Sequence, residues 1–304
     1  MYHEPVLLHE SINWLDVQPQ GVYVDATFGG GGHARAILEK ISGNGRLYAF
    51  DQDAAAWANA QQPPFAGNAS FHLIRSNFRH LKRQLRAEGL RIGSIDGILA
   101  DLGVSSYQLD TAERGFSYRF DAPLDMRMNT AEGVTAADLL NTYTAEQLQT
   151  VFGEFGEVRN ARSLAIAIVQ QRQMRPFRQI SELLATLDPL VRGERPRYLA
   201  QVFQALRMEV NDETAALRDF LADAYEMLKP GGRLVVIAYH SLEDRIVKNI
   251  VKTGNAEGVV QQDFYGNIER PYEVLTKKAL TPPAAEISEN NRSRSAKLRA
   301  AVKK

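Results

Sequence analysis

The chain has 304 residues, 44% hydrophobic and 24% charged, a balance that suits a soluble globular protein of one large domain or two smaller ones. Its 36 basic residues are matched by 36 acidic ones, so there is no global electrostatic drive toward nucleic acid, and any such contact must come from local patches. Cysteine is absent, which excludes disulfides, a cysteine nucleophile, a zinc–cysteine site and a cysteine-ligated iron–sulfur cluster. The six histidines (His3, His9, His33, His72, His80 and His240) show no metal-binding spacing, and no metal is expected. No signal peptide and no apolar run of about 18 residues is visible, so the expected place is the cytoplasm, without a membrane span.

Residues 1–20 carry Val6-Leu-Leu8 and Ile12-Asn-Trp-Leu15, a pattern for a short helix beside a sheet. Val22-Tyr-Val-Asp25 then reads as a strand running into Gly29-Gly-Gly-Gly32, with a helix from about His33–Ala34 to Ile41. Four glycines remove every Cβ where the backbone turns tightly or approaches a ligand closely. Such a turn at the first strand-to-helix crossing is the architecture of a nucleotide-type cofactor site. Leu47-Tyr-Ala-Phe50 is a second strand ending in Asp51, which lies 22 residues after Gly29. That is roughly where a strand-two acid meets a ribose. A helix over 54–60, a strand over 71–74, a helix over 80–88 and a strand over 95–100 follow, the last ending in Asp101-Leu-Gly-Val-Ser-Ser106. The alternation predicts a doubly wound parallel sheet.

From about Tyr107 only helical patterns appear, at 145–155, 158–173, 180–187 and 198–208, with Thr144 and Gln147 spaced for a capping box. We therefore divide the chain into a first part of the sheet domain (1–106), a helical insertion (107–210), and a second part (211–304). The second part holds a long helix over 212–228, stopped by Lys229-Pro-Gly-Gly232, and a strand over 234–238 that ends in Tyr239-His-Ser-Leu-Glu-Asp-Arg245. Residues 272–280 read as a further strand. The tail from Asn290 holds six basic residues and no acid.

Gly29-x-Gly31-x-x-Ala34 fits a dinucleotide fingerprint, but alone it is weak. Three features favour S-adenosylmethionine. Asp25 precedes the glycines, where a carboxylate would meet a cationic ammonium or sulfonium and repel a pyrophosphate. Leu228-Lys-Pro-Gly-Gly-Arg-Leu234 looks like the turn before strand five of class I methyltransferases. Asp101 supplies a carboxylate beside the place of the transferred group.

Several ordered motifs then carry a resemblance that spans nearly the whole chain. They include His3-Glu-Pro-Val-Leu-Leu8, Thr27-Phe-Gly-Gly-Gly-Gly-His33, Asp101-Leu-Gly-Val-Ser-Ser106, Arg114-Gly-Phe-Ser117 and Pro123-Leu-Asp-Met-Arg-Met128. Downstream come Gln204-Ala-Leu-Arg-Met-Glu-Val-Asn-Asp212, His240-Ser-Leu-Glu-Asp-Arg245 and Arg292-Ser-Arg-Ser-Ala-Lys297. With these motifs the chain resembles the RsmH (MraW) family, bacterial 16S rRNA cytosine-N4 methyltransferases. The resemblance implies a class I S-adenosylmethionine-dependent methyltransferase, a Rossmann-like doubly wound sheet with an inserted all-helical domain. It implies methylation of N4 of a P-site cytidine in 16S rRNA of the small ribosomal subunit. It places Gly31, Gly32, His33, Asp51, Phe78, Asp101 and Gln108 at the cofactor. Asp51 would accept from the ribose hydroxyls, Phe78 would flank the adenine, and His33 would act through its backbone. Asn291, where the family usually has proline, and Ala26, where many members have glycine, are the departures.

The exocyclic N4 of cytosine is a poor nucleophile, so transfer needs acceptors on its hydrogens. The Pro-Pro-aromatic motif many amino methyltransferases carry after strand four is missing here. Asp101, with His240 as helper, is the candidate acceptor pair; His240 and Glu243 as a simple helix cap is the alternative. Residues 159–207 hold nine arginines and no lysine against three acids, a local net charge of +6. Arg162, Arg172, Arg175 and Arg178 are the substrate-contact candidates, and the basic tail is a second one. Competing classes are a small-molecule methyltransferase, a nicotinamide-dependent oxidoreductase and a non-catalytic RNA-binding scaffold. Oligomeric state stays open, a homodimer being one option.

Overall fold

The computed structural model describes residues 5–262, 264–266 and 270–304; His3 and Glu4 of the N-terminal motif lie outside the described residues. Contacts divide the chain into two units, one of Met1–Gly103 with Thr214–Lys304 and one of Val104–Glu213.

The first unit opens with α1 (Leu8–Leu15), β1 (Val22–Asp25), α2 (Gly32–Leu38), β2 (Arg46–Phe50) and α3 (Ala54–Asn59). It continues through β3 (Phe71–Ile74), a 3₁₀ turn over Phe78–His80, α4 (Leu81–Ala87) and β4 (Ile95–Asp101). The second unit is helical: α5 (Ser106–Asp110), α6 (Ala136–Thr142), α7 (Ala145–Glu154), α8 (Ala161–Met174), α9 (Ile180–Leu187) and α10 (Arg195–Val210). The chain then returns through α11 (Glu213–Met227), β5 (Leu228–Ala238), α12 (Ser241–Thr253), β6 (Tyr272–Val274), α13 (Ala284–Glu289) and β7 (Lys297–Lys303).

The sheet order is β3-β2-β1-β4-β5-β7-β6, with the first five strands parallel and β7 antiparallel to both its neighbours. Adjacent strands with burial on both faces need helices on both sides. Val24, Phe50, Ile98 and Val236 pack beneath Leu81, Leu217, Phe220 and Val247. Tyr23, Leu47, Leu99 and Ile237 pack against Ile12, Ala34 and Ile37 on the other face. The order reverses between β1 and β4, and a ligand crevice lies at the carboxyl ends of strands at such a switch point. This is the architecture of a class I methyltransferase.

Part of the basic tail is built into the sheet, while Arg294 and Lys304 stay exposed. Leu298, Ala300 and Ala301 are buried, because 297–303 is a sheet strand. Arg299 makes a two-pronged ion pair with Asp244 (2.6 and 3.2 Å), and the Lys303 ammonium donates to the carbonyls of Tyr225 and Leu228. These cations close the sheet rather than extend into solvent.

The second unit has its own core around Phe152, Leu164, Ile168, Leu183, Leu199 and Leu206. Thr144 and Gln147 form a reciprocated capping box on α7. Several motif residues brace one another here. Asn211 binds both sides of the Met126–Met128 backbone (2.8 and 2.7 Å), and Arg114 donates to the carbonyls of Arg127 and Met128. Arg127 and Asp125 are paired through two hydrogen bonds.

Candidate functional site

The ends of β1, β2 and β4 each deliver one carboxylate: Asp25, Asp51 and Asp101. Their surroundings come from the loops that follow. Asp25 accepts from the Thr27 backbone N–H (3.1 Å), and the Thr27 hydroxyl in turn accepts from the Asp101 backbone N–H (2.7 Å), tying β1 to β4. Asp51 accepts from the backbone N–H groups of Gly29 and Asp53, both at 2.8 Å, so its side chain fastens the glycine turn to β2. The Asn59 amide closes the same turn from α3 by donating to the Gly29 carbonyl (2.8 Å).

Burial pushes Asp25 up to about 7, with the Asp51 charge adding to the effect. Burial likewise raises Asp51 to about 6 and Asp101 to about 7. What opposes these shifts is backbone N–H donation and, at Asp101, the Tyr239 hydroxyl, rather than a side-chain cation. Three desolvated carboxylates with no side-chain cation acting on them among the described residues suit a ligand that brings its own positive charge and repel a pyrophosphate. S-adenosylmethionine, with a sulfonium and an ammonium, fits; a nicotinamide dinucleotide does not.

The glycine turn shows two different uses of a missing Cβ. A Cβ on Gly31, whose φ is +78°, would sit 2.7 Å from Phe65 and 3.1 Å from Phe28, and one on Gly32 would collide with Pro5. These two glycines admit neighbouring side chains and leave only their peptide groups for a ligand. A Cβ on Gly29 would reach only the Thr27 carbonyl at 3.9 Å, so this position is open where Gly31 and Gly32 are crowded.

His33 lies inside α2, which begins at Gly32 with Gly31 as its cap, one turn position earlier than the sequence pattern implies. Its ring is buried and Nε2 lies 3.2 Å from the Val6 carbonyl. A carbonyl only accepts, so Nε2 carries the proton and Nδ1 presents a lone pair. Nδ1 faces Asp101 Oδ2 at 3.9 Å. Burial lowers the His33 pKa to about 4, keeping the ring neutral.

Phe78 starts the 3₁₀ turn after β3 and packs edge-to-face on Phe220 (5.2 Å between centroids). Asn77 beside it donates to Gln52 (2.9 Å), joining the segments that follow β2 and β3. Gln108 belongs to the helical unit, where it is buried and its side-chain oxygen accepts from the Ser105 N–H (2.9 Å) in the capping box of α5. His240 is the cap of α12: its ring accepts from the Glu243 N–H, and Nε2 lies 3.1 Å from Glu243 Oε1. The Nδ1 contact is the capping arrangement, whereas Nε2, though close to Glu243, is buried and makes no hydrogen bond among the described residues.

Tyr239, Thr27 and Asn59 were not singled out from the sequence. Tyr239 donates to Asp101 Oδ1 at 2.8 Å. Its signal was its place immediately after β5; its partner lies 138 residues away.

Among the arginines of the helical unit, Arg162, Arg175 and Arg178 are exposed, Arg175 with an ion pair to Glu182 (3.0 Å). Arg172 donates to the carbonyls of Leu140 (2.8 Å) and Tyr143 (2.6 Å), at the C-terminal end of α6. There it does structural work.

The three raised carboxyls predict a pH dependence. In the protein without ligand, each folded-state pKa exceeds its unfolded value, so their contribution to stability is complete below about pH 4 and is lost as pH rises through about 6–7. His33, lowered to about 4, acts oppositely: its contribution is present above about 6.5 and lost as pH falls toward 4. A cationic ligand prefers the ionised carboxylates. The thermal shift produced by S-adenosylmethionine should therefore be larger at pH 8 than at pH 5.5, with affinity at least about tenfold tighter, the cost of deprotonating one carboxyl more than a unit below its pKa. Equal shifts at both pH values would count against a cationic ligand here.

A model of the MraW methylase family matches residues 1–304. The ribosomal RNA small subunit methyltransferase H of Bacteroides thetaiotaomicron is 53% identical over 304 residues, covering 100% of this chain and 98% of its own. That of Parabacteroides distasonis is 51% identical over 303 residues, covering 99% of this chain and 97% of its own. That of Cytophaga hutchinsonii is 52% identical over 302 residues and covers 99% of both.

Proposed function

This chain belongs to the MraW methylase family, and from that premise we propose that it methylates the exocyclic N4 of a P-site cytidine in 16S rRNA. It is a methyltransferase that uses S-adenosylmethionine, and the full-length relatives support ribosomal RNA as the substrate class. When bound, the cofactor would supply an electrophilic methyl group on cationic sulfur; as the carbon–nitrogen bond formed, the carbon–sulfur electron pair would stay on sulfur and the proton lost by the amine would pass to water.

The observation that carries the assignment to an amine is Asp101. It is fixed at its backbone by Thr27 and at Oδ1 by Tyr239, and its side chain keeps 22% exposure. A carboxylate so held accepts an N–H hydrogen, which localises the nitrogen lone pair and aims it at the methyl group. Asp51, with Gly29 and Asn59, holds the glycine turn and offers its remaining lone pairs to ribose hydroxyls. Phe78 offers its ring to adenine. His240 stays a helix cap in this scheme. Arg162, Arg175 and Arg178 are the proposed phosphate contacts of the helical unit, and Arg172 is left out because it serves α6.

The test is methylation of small ribosomal subunits, and separately of naked 16S rRNA, from a strain lacking the enzyme. The expected product is N4-methylcytidine by mass spectrometry of nucleosides. An R178E variant should raise KM for the RNA at little cost in kcat. A methyl group on carbon 5 or on a ribose would overturn the N4 assignment, and no methylation of either RNA would overturn the substrate.

A further inference from the structure

We propose that Tyr239 is a positioning residue, whose hydroxyl holds Asp101 as a fixed carboxylate with Oδ2 as the oxygen offered to a ligand N–H group. This rests on Asp101 acting in the site, as proposed above.

The register of the sheet brings the two together. Asp101 pairs with Ile237 across β4 and β5, and the Leu102 N–H donates to the Ile237 carbonyl (2.9 Å), so the residues that follow each strand leave it side by side. Tyr239 is itself held at both ends. Its backbone N–H donates to Glu243 Oε2 (3.0 Å), and its ring lies against Gly103, where an added Cβ would touch it at 3.4 Å. Its hydroxyl then reaches Asp101 Oδ1 at 2.8 Å. With the Thr27 hydroxyl on its backbone N–H, Asp101 is clamped from β1 and from the end of β5, and only Oδ2 is turned elsewhere, toward His33 Nδ1.

The surroundings explain why a hydroxyl is needed. The charged groups that act on Asp101 are Asp25 from β1, Glu243 from α12 and Glu286 from α13, and each favours protonating it. His33 from α2 is neutral and presents a lone pair, so it gives no help. Among the described residues Tyr239 alone opposes this, by donation. Burial, and then the Asp101 charge, push its own ionisation well above the usual tyrosine range, so it stays a donor across the working pH range. A protonated Asp101 would offer its N–H-donating ligand a poorer acceptor.

The experiment is Y239F, which removes the hydroxyl and keeps the ring, measured as single-turnover rate against pH at saturating S-adenosylmethionine. The acid limb should move about one unit to higher pH, giving about a tenfold loss near pH 7 that shrinks by pH 9. A merely structural role would lower the profile without moving it, and that result would overturn the proposal. Should Y239F fold poorly, site-specific 3-fluorotyrosine at position 239, a stronger donor of nearly the same shape, should move the limb to lower pH; an unmoved limb would again overturn it. In a D101N background, Y239F should add less than about twofold. If D101N itself turns over normally, the role of Asp101 fails first, and that outcome is separable from an unmoved limb in the native background.

Discussion

Replacing Asp101 by asparagine is expected to slow methyl transfer by about 100-fold or more at saturating cofactor, with cofactor affinity weakened by less than about tenfold. Asparagine has the same shape, and its oxygen still accepts the Tyr239 hydroxyl. What changes is the other branch: Oδ2 becomes an amide that donates, so an amine hydrogen that met an acceptor now meets another hydrogen. Loss of one preorganised polar contact to a reacting group costs about 10²–10³ in rate in well-studied cases. The nitrogen of a conjugated amine depends on such a contact more than an aliphatic amine does, because its lone pair must be drawn out of the ring. Single-turnover rates with calorimetric cofactor affinities separate the two halves of the prediction. A loss found wholly in cofactor affinity would mean that Asp101 serves the cofactor alone, and the role at N4 would be withdrawn.

What could be read from the sequence follows the range of the interactions involved. The glycine turn, the strands on either side of it and the capping box at Thr144 are local, and each shows in a few consecutive residues. Asp51 was legible because its spacing from Gly29 is a property of one βαβ unit. The clamp on Asp101 was not, since its partners Thr27 and Tyr239 lie 74 and 138 residues away and meet only through sheet register. That Arg299 and Lys303 of the basic tail are sheet residues was hidden for the same reason. The tail's cations alternate with leucine and alanine as in a strand, but their neutralising partner, Asp244, lies 55 residues from Arg299. Arg172 counts as positive charge in composition, yet its hydrogen bonds go to carbonyls of α6, a seven-residue helix too short to stand out by periodicity. Resemblance placed the motif residues without saying why they recur. Asn211 and Arg114 brace backbone in the helical unit, whereas Asp51 and Asp101 line the strand ends.

The largest effect on folding is expected at Gly31, where valine should remove about 2–6 kcal/mol of stability. Two costs combine. A β-branched residue at a φ of +78° costs about 1–3 kcal/mol in backbone strain, and forcing its Cβ to within 2.7 Å of Phe65 costs about 1–3 kcal/mol in displaced packing. Phe65 cannot retreat easily, because it is buried edge-on to Phe28 at 5.0 Å and packed against Phe71 at 4.8 Å between centroids. Denaturant midpoints with unchanged slope would measure the loss. Gly29 supplies the contrast that makes the result specific. Its φ of +48° costs an alanine about 1–2 kcal/mol, and its Cβ would meet only the Thr27 carbonyl at 3.9 Å. G29A should therefore lose less stability than G31V and, if the turn cradles S-adenosylmethionine as proposed, bind it at least about tenfold more weakly, since a methyl group placed against a ligand costs on the order of 1–3 kcal/mol. If G29A bound the cofactor as the native chain does, the cradle would have to lie elsewhere on the turn, and the crowding at Gly31 would be a matter of packing alone.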